Sequence, residues 1–168
     1  MSSERSGDRH GPVSSEEFRR VCSRFATGVT VAGVVDPAGA PHGLTVNSFT
    51  SVSLSPPLVL ICLGHAVTVI DAFRAASHFG ISVLGESQRE LSERFARKGH
   101  DRFGSTPWHA GVTGAPLLDA CLAEMECAAR HRFTVGDHDL LVGEVVAARV
   151  REGAPLVYYA SRYRELAR

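Results

Sequence analysis

The feature that most constrains this chain is a pair of long strand patterns, residues 124–135 and 140–150, separated only by Gly136-Asp137-His138 and Asp139. A short glycine-containing link between two strand runs reads as a hairpin. The same grammar recurs upstream. A β-branched run from Val29 to Val35 meets the turn chemistry Asp36-Pro37-Ala38-Gly39-Ala40-Pro41, and a second strand starts near His42. Pro56 and Pro57 precede a short apolar run over residues 58–63; residues 79–84 and 155–160 complete the strand patterns. Many strands without a regular βαβ alternation exclude a doubly wound sheet. A mainly β fold that closes its own edges, a barrel with a few flanking helices, suits so short a chain.

The helical patterns are few. Ser14 with Glu17 makes a capping box, after which Phe18, Val21, Cys22 and Phe25 form one apolar stripe expected to pack on the body until Gly28 stops the helix. Residues 68–76 read as a second helix. Ser87 with Glu90 forms another capping box, with Leu91 and Phe95 four residues apart on the buried face. Residues 99–116, rich in Gly, His, Pro and Thr, read as a long loop.

The 168 residues form one domain over residues 14–168, after a polar tail, residues 1–13, expected to fray. Eighteen basic residues balance eighteen acidic ones, so no net field gathers nucleic acid or an anionic membrane. No stretch of about 18 apolar residues or signal-peptide pattern occurs, and a cytoplasmic location is expected. Cys22, Cys62, Cys121 and Cys127 have no C-x-x-C spacing and read as buried free thiols. The histidines lack metal-ligand spacing, and neither G-x-G-x-x-G nor G-x-S-x-G is present.

The chemistry concentrates in Thr45-Val46-Asn47-Ser48-Phe49-Thr50-Ser51-Val52-Ser53-Leu54-Ser55, where seven of eleven residues are Ser, Thr or Asn. Two readings fit. One is a hydroxyl-rich barrel strand; the other is the wall of a cavity whose ligand has an alternating donor and acceptor rim and apolar faces, as an isoalloxazine has.

The segments Phe25-Ala26-Thr27-Gly28-Val29-Thr30-Val31, residues 45–57, residues 88–96 and Gly136-Asp137-His138 occur in the order typical of the flavin reductase-like family. The chain most resembles the small reductase components of two-component flavin monooxygenases. The likeness extends through Gly114-Ala115-Pro116-Leu117-Leu118, Glu126-Cys127 and Pro155-Leu156-Val157-Tyr158-Tyr159. It implies an FMN-binding split β-barrel of Greek-key type, a homodimer with the flavin at the subunit interface. By that resemblance Thr45, Asn47, Ser48, Ser51 and Ser53, with Val46 and Val52 among them, contact FMN or FAD. Phe79, Ser82 and Leu84 line the opposite side, and Gln88 and Phe95 complete the pocket. The family commonly has Asn where this chain has Ser82. Arg89, Arg94, Arg97 and Lys98 are candidates for the phosphate, and His138 lies beside the nicotinamide of NADH or NADPH.

The activity so implied is reduction of flavin by NAD(P)H, with reduced flavin released to a partner monooxygenase. Hydride transfer needs no protein nucleophile or metal, because the cofactors carry the chemistry and the protein orients them. Two other readings remain open: a flavin-binding module without turnover, and a flavoprotein that keeps its flavin and acts on an organic substrate in a pocket shaped by residues 99–116.

Overall fold

The computed structural model describes residues 11–99 and 101–166. Most of the expected tail, His10 and His100 lie outside the described residues. The elements in chain order are α1 (Ser15–Cys22), β1 (Thr27–Gly28), β2 (Thr30–Val35), β3 (Pro41–Val46), β4 (Thr50–Leu54) and β5 (Pro57–Gly64). Then come α2 (Ile70–Ala75), β6 (His78–Val83), a 3-10 turn (Glu86–Gln88), α3 (Arg89–Ala96), β7 (Trp108–Ala110) and β8 (Pro116–Leu118). The chain finishes with β9 (Ala123–Val135), β10 (His138–Val150), β11 (Val157–Tyr159) and β12 (Arg162–Arg164).

Seven strands form one antiparallel sheet in the order β3-β2-β6-β9-β10-β5-β4. Its spine is the expected β9–β10 hairpin, which pairs from His138 with Val135 out to Val150 with Ala123. The predicted β2–β3 hairpin is also present. Asp36 makes its turn by accepting the Ala38 and Ala40 backbone N–H groups on one carboxylate oxygen. The two edge strands, β3 and β4, are consecutive in the chain, and among the described residues no ladder joins them. Residues 47–49 therefore cross a split between the sheet's edges.

Side-chain alternation decides what β5 does. Val59, Ile61 and Leu63 face the core, whereas Leu58, Leu60 and Cys62 are only partly covered. The core continues through Val34, Phe73, Phe79, Ile81 and Leu141. A second cluster of Val29, Val31, Leu84, Phe95, Phe103 and Leu118 sits under α3 and β8. Glycines make the close approaches possible: a Cβ on Gly80 would stand 2.5 Å from the Pro116 carbonyl oxygen, and one on Gly33 2.8 Å from the same atom.

Several local expectations need correction. Helix α1 starts at its Ser14 cap, whose Oγ accepts the Glu17 N–H at 3.1 Å, but it ends at Cys22 and buries nothing. Phe18, Val21 and Phe25 are 62%, 64% and 78% exposed, so the apolar stripe lacks a partner within its own chain. At the second cap the work falls to Gln88 rather than Ser87: its Oε1 accepts the Gly85 N–H at 2.9 Å. Residues 99–116 are not structureless, because β7 within them pairs with β8. The end of the chain folds back as an additional strand, β12, on β11.

All four cysteines are free. Cys121 and Cys127 are buried as expected, and burial pushes their thiols up to about 11 and about 12. Cys22 is exposed and Cys62 partly so. Among the described residues no helix is long and apolar enough to cross a membrane.

Candidate functional site

The crossing at residues 47–49 gathers the polar stretch at one place. No backbone–backbone hydrogen bond joins Asn47, Ser48 or Phe49 to another described residue. The crossing is instead pinned by side chains. Ser48 Oγ accepts the Cys62 N–H at 2.9 Å and donates to the Cys62 carbonyl at 3.3 Å. At the β3 end, Thr45 Oγ1 donates to the Ser92 carbonyl of α3 at 2.7 Å, and Thr30 Oγ1 donates to the Val46 carbonyl at 2.9 Å. Asn47 is exposed and its amide has no hydrogen-bond partner among the described residues.

In β4 a bulge between Ser51 and Ser53 turns Val52 outward, leaving it and Ser51 exposed. Ser53 Oγ accepts the Ser55 N–H at 3.3 Å.

His138 is brought to the same end from the opposite side of β5. It pairs with Gly64, and Leu140 pairs with Cys62. A rise of about 3.3 Å per residue puts Gly64 about 7 Å along the strand from the residue that Ser48 holds. The imidazole is half-exposed. Its Nδ1 lies 2.6 Å from Asp137 Oδ1, and this hydrogen bond holds the Asp137 carboxyl below its ordinary value. A carboxylate only accepts, so Nδ1 carries a proton and the neutral ring keeps Nε2 as an acceptor. Nε2 faces the α-carbon of Gly64, where a Cβ would lie 3.4 Å away.

Four residues expected to line the pocket lie in the interior. Phe79, Ser82, Leu84 and Phe95 are fully buried within the chain. Phe79 belongs to the main core and Leu84 and Phe95 to the second cluster, so their surfaces are already spent on packing. The Ser82 hydroxyl accepts the Leu118 N–H at 2.9 Å. Gln88 is also engaged, its Nε2 donating to the Asp119 carbonyl at 3.0 Å while Oε1 caps the turn. Of the phosphate candidates, Arg89 binds Glu93 at 2.8 Å and lies over the Tyr163 ring, and Arg94 Nη1 binds the Thr106 hydroxyl at 2.8 Å. Arg97 and Lys98 remain exposed.

One polar group in the interior is unpaired among the described residues. Thr27 Oγ1 is buried without a hydrogen-bond partner, on the segment that enters β2 at Thr30, opposite Val46. Its strand β1 pairs with β11, Thr27 standing opposite Tyr158. A cavity of about 870 Å³ lies apart from the split, between Pro41, His42, Thr68, Arg102 and Trp108, and none of residues 45–53 lines it.

The profile of the family described as "Flavin reductase like domain" matches residues 22–167. The chain is 40% identical over 158 residues to an FMN reductase (NADH) of Agrobacterium fabrum, covering 94% of this chain and 90% of that one. It is 38% identical over 152 residues to the reductase component of a 4-nitrophenol 4-monooxygenase/4-nitrocatechol 2-monooxygenase of Rhodococcus opacus, covering 90% and 81%. The structure of an NADH:FAD oxidoreductase of Streptomyces globisporus, solved with NAD and FAD fragments, superposes with a TM-score of 0.86 at 37% identity over 94% of this chain and 98% of that one. A family profile covering nearly the whole chain, joined to relatives matched almost end to end, establishes that this chain belongs to the flavin reductase-like family.

Proposed function

We propose that this protein is an NAD(P)H-dependent flavin reductase that binds FMN or FAD at the split between β3 and β4 and supplies the reduced flavin to a partner monooxygenase. The observation that carries the site is the crossing at residues 47–49: backbone amides without protein partners and the free amide of Asn47 stand on one side of β5's end, and His138 stands on the other. Bound flavin supplies the hydride acceptor, and NAD(P)H the donor.

The chain's own residues do the rest. Asn47, the hydroxyl of Ser51 and the amides of residues 47–49 offer donors and acceptors to a planar rim without introducing charge. Ser48 and Thr45 act one step back, fixing the crossing to β5 and α3. His138 presents an acceptor Nε2 suited to a carboxamide N–H of the nicotinamide.

A homodimer fits the exposed apolar surface. The α1 stripe and Val52, Leu54, Phe133 and Val135 are all more than half exposed, apolar side chains without cover in the single chain. A second subunit would cover part of it and give the one-sided flavin site its other wall. The free thiols support a reducing, cytoplasmic compartment.

Replacing Asn47 by Ala tests the placement. Because Asn47 has no partner within the chain, melting should be unchanged, while the Kd for FMN rises about three- to tenfold, the worth of one or two hydrogen bonds. Unchanged FMN affinity in the folded variant contradicts a site at the crossing.

A further inference from the structure

His138 is not held in place by its own side chain. Its one hydrogen-bond partner, Asp137, belongs to the same turn and has a side chain 93% exposed, so the pair could swing together. The anchor is the next residue. Asp139 is 7% exposed, and side-chain alternation turns it inward where His138 turns outward.

Its carboxylate accepts hydrogen bonds from three elements: Arg74 Nε of α2 at 2.7 Å, His65 Nε2 of the connection after β5 at 2.9 Å, and Thr134 Oγ1 of β9 at 2.9 Å. The His65 backbone N–H donates to the Asp137 carbonyl at 2.9 Å, tying the same connection to the turn itself. A carboxylate withdrawn from water is costly unless fully hydrogen-bonded, so this arrangement has one low-energy geometry. The β9–β10 ladder alone would leave its terminal turn free to fray.

We infer that Asp139 is a positioning residue for the hydride donor: with Arg74 and His65 it fixes the turn of residues 136–138 against α2 and the end of β5, and so holds the His138 ring beside the split. This rests on the reading of His138 as the group facing the nicotinamide. Asp139 touches neither flavin nor NADH; it acts through His138 alone.

The test is a double-substitution cycle with full-length protein, NADH varied at saturating FMN and FMN affinity read by fluorescence. Asp139→Asn keeps the shape of the side chain but cannot accept from all three donors. It should raise the KM for NADH about tenfold with kcat and FMN affinity changed less than about twofold, and adding it to His138→Ala should cause no further rise. Effects that multiply in the double variant, or an Asp139→Asn variant with normal KM, overturn the positioning role. If His138→Ala alone leaves the KM unchanged, it is the reading of His138 that fails, and the proposal falls with it. Should Asp139→Asn not fold, Arg74→Gln, on a half-exposed side chain, removes one of the three donors and must show a smaller rise in KM with the same lack of additivity.

Discussion

The Ser48 hydroxyl binds both backbone groups of Cys62, accepting its N–H at 2.9 Å and donating to its carbonyl at 3.3 Å. One side chain thus does for β5 what a neighbouring strand would do, at the place where the sheet's consecutive edge strands leave no ladder. It closes the split without filling it, so the backbone of the crossing stays available to a ligand.

Ser48→Ala should therefore act on stability before it acts on binding. It leaves the Cys62 N–H and carbonyl unpaired at a half-covered position, a loss of about 1–3 kcal/mol. For a chain of this size that lowers Tm by a few degrees, about 2–4 °C per kcal/mol. Hydrogen exchange read at the Cys62 amide should accelerate more than at its β5 neighbours. An unchanged Cys62 exchange rate contradicts the closure role.

Gly80→Ala tests the packing that seats β8. The added methyl would stand 2.5 Å from the Pro116 carbonyl oxygen and 2.9 Å from Leu117 Cδ2, and the first of these is backbone and cannot rotate away. Overpacking of this kind costs about 1–3 kcal/mol. Gly28→Ala, where a Cβ meets nothing within 4 Å, is the matched control and should melt like wild type. Equal melting of the two variants contradicts the close approach of β8 to β6.

Much of this architecture was legible because its signals are local. The 124–135 and 140–150 runs with the short glycine-containing link between them, and Asp36-Pro37-Ala38-Gly39, encode hairpins in turn chemistry that needs no distant partner. The α1 stripe was misassigned for a physical reason: periodicity shows that Phe18, Val21 and Phe25 share a face, not what covers it. Strands β7 and β8 were hidden because each is three residues long, and β8 seats against Gly33 of β2 and Gly80 of β6, a contact its own composition does not announce. In the site, the likeness names segments, while the structure adds where each side chain lies. Phe79, Ser82 and Leu84 lie on or just after a strand, and whether such residues face a pocket or the core depends on register.

The charge on Asp139 gives the fold a dependence on acid. Hydrogen bonds from Arg74 and then His65 hold its carboxyl well below the usual carboxylate range. A carboxyl depressed in the folded state adds stability that is fully present above its unfolded value of about 3.9 and is lost as the pH falls through the folded one. Wild type should thus exceed Asp139→Asn in stability near pH 7, and the gap should narrow as the pH drops below about 4. Urea midpoints at about pH 7, 5 and 3 measure it. A gap of constant size across that range contradicts the charged clamp.

Flavin bound at the split is proposed to be reduced there and then to leave. Mixing the purified protein with NADH or NADPH and a large excess of free FMN or FAD, and following the loss of nicotinamide absorbance under anaerobic conditions, tests it most directly. The account predicts continued oxidation of nicotinamide until the flavin is consumed, many equivalents per subunit. Oxidation that stops after one flavin equivalent per subunit, with that flavin still bound, contradicts it.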